Sequence, residues 1–243
     1  MKRIFILLII CDLFFCSMNA QIHFHANVAN NHLWRGMEVA DGMVFTSDIS
    51  ITDKNEYFRI GLWGGTNTSG TYKEFNHYVS FTYRQLNLSV WDTYNFSPGA
   101  TYNNKEYFNY SAHSTGRFID ATLSYRFGKQ FPLFVAWSTI LFGRDRNTSN
   151  TANKYSTFIY VEYPIYQNKG WNIDTGIGGA FALNEAGNDS HFYGNSRGIV
   201  HAALKISKHV VFNEYKIPVY ACMMWNPQRN NAFFQIGIQL FKF

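Results

Sequence analysis

Charge is scarce in this sequence. Asp, Glu, Lys and Arg make up 15% of its 243 residues, against about a quarter in ordinary soluble domains. A densely charged, solvated exterior is therefore not encoded. Cysteine is scarcer still: of three, Cys11 and Cys16 fall within the first 20 positions. Loss of that segment leaves Cys222 alone, which can form no internal disulfide and cannot build a zinc site unaided. Long apolar runs are also missing. Beyond residue 20 no stretch approaches the roughly 18 apolar residues of a spanning helix, which excludes a helical membrane protein. Aromatics, by contrast, reach 19%, with 23 Phe and 16 Tyr, and that excludes disorder. Mean hydropathy is nonetheless slightly negative at -0.20, so the apolar side chains are interleaved with polar ones. Such interleaving points to β-structure.

The N-terminus reads as an export signal. Lys2 and Arg3 precede an apolar run at 4–11, a second patch at 13–15 follows Asp12, and Ala20 offers a small residue at the expected cut. Cys16 follows Phe14 and Phe15 rather than small residues, which argues against a lipoprotein. The expected organisation is a signal peptide at 1–20 and one domain at 21–243, with 19 basic and 15 acidic groups left after cleavage. That modest charge, with export, argues against a nucleic-acid partner.

Period-2 alternation recurs along the whole mature chain. In 75–84, Phe75, His77, Val79, Phe81 and Tyr83 take one face, and Asn76, Tyr78, Ser80, Thr82 and Arg84 the other. In 171–183, Trp171, Ile173, Ile177, Phe181 and Leu183 oppose Asn172, Asp174, Gly176, Gly178, Ala180 and Ala182. Since successive side chains of a strand point to opposite faces, each segment has one apolar face and one polar or small one. Twelve strands are expected, at 22–34, 42–51, 57–66, 75–84, 86–93, 117–127, 132–143, 154–163, 171–183, 197–207, 216–226 and 232–243.

The connections alternate. Those at 52–56, 85, 128–131, 164–170 and 208–215 are short or moderate; those at 35–41, 67–74, 94–116, 144–153 and 184–196 are mostly longer and rich in Asn, Ser, Thr and Gly. Brief turns at one end and longer loops at the other are the pattern of bacterial outer-membrane barrels. A soluble barrel or sandwich could share the alternation, but its outer face should be charged. Aromatics near many strand ends, among them Tyr57, Tyr83, Tyr125, Tyr163 and Trp171, fit interfacial girdles. The chain also ends on Phe243 within a strand-like segment, a fitting signal to barrel-assembly machinery, although Phe241 and Phe243 fall out of phase with Phe234, Ile236, Ile238 and Leu240. The expected fold is an all-β, 12-stranded antiparallel transmembrane barrel in the cell outer membrane, with lipid as its outer partner. A homo-oligomer is allowed, with no separable interface signature.

The first strand ends in Leu33-Trp34-Arg35-Gly36, a second strand follows a polar gap, and the third carries Gly61-Leu62-Trp63-Gly64. With Phe131-Pro132-Leu133, Tyr163-Pro164 and the Phe-terminated last strand, this resembles the TorF-type porins and related small Bacteroidota barrels, whose first strand ends in an aromatic-Arg-Gly element. Trp34, Arg35 and Gly36 carry most of the likeness. The resemblance implies an outer-membrane barrel of porin type and brings neither a substrate nor catalytic residues.

With the apolar faces toward lipid, the lumen receives Arg59, Arg84, Arg126 and Lys205, facing Asp48, Asp120, Glu162 and Asp174, with polar companions such as Asn76, Thr122, His201 and Gln239. Near-balanced signs predict no strong ion selectivity. The expected function is passive diffusion of small polar solutes; the alternative is a non-conducting surface or adhesion barrel with a plugged lumen and recognition in the outer loops. Inward Gly176, Gly178, Ala180 and Ala182 leave a gap for solute or for an aromatic from the opposite wall. The long connection at 94–115 folds inward as a constriction or outward as a recognition loop. No enzyme is expected: His77 faces lipid without a serine neighbour, and Asp189-Ser190-His191 and His113 are ordinary loop residues. His23 and His25 share a face, but neither they nor His201 and His209 complete a ligand shell, so no metal or cofactor is expected.

Overall fold

The computed structural model describes residues 20–184, 190–212 and 215–242. The expected signal segment, apart from Ala20, and Phe243 lie outside them. Fourteen strands run in chain order: β1 (Gln21–Ala29), β2 (His32–Trp34), β3 (Met37–Ala40), β4 (Val44–Thr52), β5 (Phe58–Asn67), β6 (Lys73–Tyr83), β7 (Leu86–Asn95), β8 (Phe118–Arg126), β9 (Phe134–Gly143), β10 (Ser156–Asn168), β11 (Trp171–Ala182), β12 (Gly198–Phe212), β13 (Tyr215–Asn226) and β14 (Asn231–Lys242). All but β2 and β3 form one closed antiparallel barrel of twelve strands in sequence order, sealed where β1 pairs with both β4 and β14. Closure leaves no edge strand, so backbone N–H and C=O groups find partners within the wall.

The register assigns the faces. Outward lie Ile22, Ile49, Ile60, Val79, Leu88, Leu123, Trp137, Ile177, Met223 and Ile236, all exposed; Ile60 is 68% exposed and Ile236 56%. Uncovered apolar surface on this scale is not what water tolerates on a monomer. At the short-turn end aromatic rings follow one another round the outer rim, Tyr57 against Tyr83, then Tyr125, Phe127, Phe131 and Tyr163 in a chain of contacts 4.9–6.0 Å apart. The phase problem at the last strand resolves through a bulge. Ala26 pairs with Phe241 and Asn27 with Gln239, leaving Leu240 as the extra residue, so Phe241 points outward with Ile236 and is 58% exposed.

Three expectations are corrected. The first strand is not continuous over 22–34: it stops at Ala29, and residues 32–40 form a separate hairpin. The long strands β10 and β12 extend well past their expected ends toward the short-turn side. The β10–β11 connection thereby shrinks to Lys169-Gly170, both in the left-handed region at φ 48° and 78°, the geometry of a tight two-residue hairpin turn. Finally, the inward glycines are covered by neighbouring strands rather than the opposite wall. A Cβ at Gly61, Gly176, Gly178 or Gly237 would fall within the ring of Tyr78, Tyr160, Phe158 or Tyr220 respectively. Each ring lies flat against the backbone that a missing side chain exposes, which rigidifies the wall where glycine alone would weaken it.

Candidate functional site

Residues 30–43 leave the wall at β1 and return to it at the adjacent β4, yet the hairpin they contain reaches across the lumen. Its turn is Arg35-Gly36, both in the left-handed region at φ 46° and 83°, between paired Trp34 and Met37. That is the two-residue turn whose twist suits a hairpin, and it explains locally why Trp-Arg-Gly ends β2. The expectation that these residues close the first barrel strand is therefore wrong. They form the tip of an inserted hairpin.

The tip docks on β8, four strands round the wall from β4. Arg35 Nη1 donates to Asp120 Oδ1 at 2.9 Å and Nη2 to Oδ2 at 2.7 Å, with further bonds to Tyr193 Oη (2.7 Å) and Thr122 Oγ1 (3.3 Å). Its Cζ lies 4.7 Å from the centre of the Trp34 ring, 5.6 Å from Phe158 and 5.7 Å from Tyr193. Burial works against the Arg35 charge, but Tyr193 and Asp120 outweigh it and hold the guanidinium protonated above its usual range. Gly36 passes so close to the Val200 carbonyl that no side chain fits, and its own oxygen accepts from Asn226 Nδ2 at 2.9 Å. Trp34 packs against Phe118, Phe192 and Tyr193. At the root, His32 rests on Trp63 and Tyr72, while Asn30 exchanges hydrogen bonds with the β14 backbone.

The hairpin does not fill the mouth. Between it and the β5–β9 wall a cavity of about 760 Å³ remains, lined by Trp63, Glu74, Trp91, Tyr102, Arg144 and others. Glu74 accepts from Asn76 Nδ2 (2.8 Å) and Asn95 Nδ2 (3.2 Å). Arg144, just after β9, places its Cζ 3.8 Å from the centre of Tyr102.

The long connection at 94–115 is neither simple constriction nor free loop. It straddles the rim. Gly99, Ala100 and Tyr102 line the cavity, whereas Tyr107 folds onto the outer wall, its hydroxyl 2.5 Å from His77 Nε2. Arg117 holds that part down, donating from Nε to the Tyr107 carbonyl (2.8 Å) and from Nη1 to Asp92 Oδ1 (2.8 Å), and stacking against Tyr107 at 4.3 Å.

Deeper in the lumen, toward the short turns, sit most of the sequence-derived candidates. Arg59 donates to Ser50 Oγ at 2.8 Å, and Asp48 accepts from Tyr78 Oη at 3.0 Å. Arg126 lies 3.6 Å from Glu162, which also accepts from Tyr160 Oη. Asp174 and Lys205 are register partners on β11 and β12. Arg84 is a correction: it occupies the turn between β6 and β7 at φ 54° and stacks on outward-facing Tyr83 rather than lining the lumen. Arg59, Asp48, Arg126 and Glu162 find partners on the same or nearby strands; among the described residues only Arg35, carried by the hairpin, spans the lumen to its carboxylate.

Of the residues weighed for catalysis or metal binding, His23 meets Thr52 Oγ1 at 3.1 Å, and His113 meets the Asn150 carbonyl at 2.9 Å. Ser190 accepts from Lys154 Nζ, while Asp189 lies outside the described residues. Among the described residues no three His, Cys, Asp or Glu side chains lie close enough to hold a metal ion. Sequence reading missed Arg144, Glu74 and Tyr193. All three sit at or beyond strand ends, and no periodicity distinguishes them from rim residues.

No family model matches the chain, and no curated protein matches it. Among solved structures, an outer-membrane channel from Pseudomonas putida aligns over 90% of this chain and 92% of its own, at 11% identity and a TM-score of 0.41. A triple variant of the Rh. blastica porin aligns over 82% of this chain at 14% identity and a TM-score of 0.38. The chain spans about half the length of that porin, 55%. At these levels the likeness is one of general barrel shape, and the TorF-type resemblance stays a resemblance.

Proposed function

We propose that the chain is an outer-membrane, porin-like channel for passive diffusion of small polar solutes, its outer mouth narrowed by the β2–β3 hairpin. The outer apolar belt and aromatic rim support lipid as the surrounding partner, and alternating loop lengths support placing the long-loop end outside. The solute path runs beside the hairpin and down past Asp48, Arg59, Asp120, Arg126, Glu162, Asp174 and Lys205. No catalytic step is assigned to it. Phe243, read as the assembly signal, lies outside the described residues.

One observation carries the reading: the hairpin crosses the lumen to Asp120 yet leaves a cavity of about 760 Å³ along one side. The alternative of a non-conducting surface barrel is favoured by the density of the seat, where Tyr193 and Val200 are fully buried under the tip. Planar-bilayer recording of refolded protein separates the two. Discrete conductance steps are expected; a trace at leak level, unchanged when residues 31–40 are replaced by a short Gly-Ser linker, sinks the channel and favours the surface protein.

A further inference from the structure

We propose that the cavity beside the hairpin is a binding site for a small solute bearing a carboxylate, with Arg144 as the group that receives it. This deepens the channel reading by naming a solute class and rests on it for the solute's route of entry.

Arg144 carries a charge with no counter-ion among the described residues. The Arg144 guanidinium is wedged among aromatic rings, Tyr102 at 3.8 Å, Phe192 at 5.0 Å and Phe118 at 5.2 Å. Its Nε is buried without a hydrogen-bond partner, and no carboxylate pairs with it among the described residues. The nearby acids are turned elsewhere. Asp145 accepts from the Ser156 amide and hydroxyl, both at 2.7 Å, and Glu74 is held by Asn76 and Asn95. Burial of a cation without a counter-ion is costly, and such a group calls for a missing partner. Arg117 is the contrast: it too is stacked among tyrosines, but Asp92 answers it at 2.8 Å.

The shape of the site selects the partner. Arg144 lines the cavity among these rings, and a guanidinium fork matches a planar, two-oxygen acceptor, the geometry of bidentate carboxylate recognition. Trp34, Trp63 and Trp91 on the other walls offer flat apolar surface for the solute's carbon body. Glu38 and Glu74 also line the space and disfavour a doubly charged phosphate. Arg229 at the rim adds positive charge at the entrance.

The test is calorimetric titration of refolded, detergent-solubilised protein with sodium benzoate, its neutral analogue benzamide, and inorganic phosphate. Saturable benzoate binding is expected, with benzamide about tenfold weaker or worse. R144Q should weaken benzoate about tenfold and leave benzamide unchanged. R144K keeps the charge but loses the fork, and should also bind benzoate more weakly, which serves if R144Q does not fold. Equal binding of benzoate and benzamide, full benzoate affinity in either variant, or saturable phosphate binding in place of benzoate overturns the proposal. Benzoate binding does not require ion flow. Binding without conductance therefore removes only the channel reading, and conductance without binding removes only this one.

Discussion

Arg35 and Asp120 are 85 residues apart in the chain, yet their side chains meet through two parallel hydrogen bonds of 2.9 and 2.7 Å. With side-chain exposures of 14% and 6% the pair is largely buried, so removing one partner strands a charge at a cost of about 3–5 kcal/mol. That cost falls on the seat of the hairpin, not on the barrel ladder. D120N and R35Q should each raise single-channel conductance, and the double variant should add little to either. Unchanged traces in both variants would mean the hairpin holds its place without this pair.

Gly36 is constrained twice, by φ 83° and by the Val200 carbonyl beside it. G36A should therefore expel the tip while leaving the wall intact. Hydrogen exchange at residues 32–40 should speed up by an order of magnitude or more, since each 1.4 kcal/mol is a factor of ten, with strand amides unaffected. Equal loss of protection in β12 and β13 would show that the hairpin is part of the barrel's own stability.

The paired glycines and rings make a separate prediction. A methyl at Gly176 collides with Tyr160, and overpacking of this kind costs about 1–3 kcal/mol. G176A should lower the temperature at which the folded band disappears on unheated gels. Adding Y160A should recover part of that loss; no recovery would place the damage in the backbone rather than under the ring.

His191 gives the mouth a pH dependence. Its Nε2 meets the Ser196 carbonyl at 2.7 Å, and its Nδ1 accepts from the Tyr193 amide at 3.2 Å, so the neutral tautomer suits the site. Burial is the main cause that pushes its pKa below 6.5. The unfolded state then binds the proton first as pH falls, so this contribution to stability is complete above pH 6.5 and declines below it. Amide exchange at Phe192 and Tyr193, corrected for intrinsic rates, should lose protection between pH 7.5 and 5. H191Q should flatten that dependence, and a flat profile in the unmodified chain would remove His191 from this role.

Arg117 holds residues 107–110 to the outer wall. R117Q should make that segment several-fold more susceptible to protease, with conductance unchanged because Tyr107 lies outside the lumen. A conductance change would show that the outer and inner parts of the connection move together.

Much of the wall was legible locally. Alternation in 75–84 and 171–183 named the apolar faces correctly because a strand has only two sides. The hairpin was not legible, because His32-Leu33-Trp34 is a short strand-like run within the least regular of the expected strands, and a lumen insert is as mixed as the lumen face it meets. Arg84 was misplaced for a related reason: the alternation runs into the turn, where periodicity no longer reports direction. Arg144 had no signal at all, being one arginine in a polar connection.

From sequence alone came the architecture, a closed twelve-stranded wall with an apolar exterior, because strand periodicity and turn chemistry are properties of neighbouring residues. Only the tertiary structure decided what occupies the mouth and which arginines are answered by a carboxylate among the described residues. Those are contacts between residues tens of positions apart, and they exist only once the wall has closed around them.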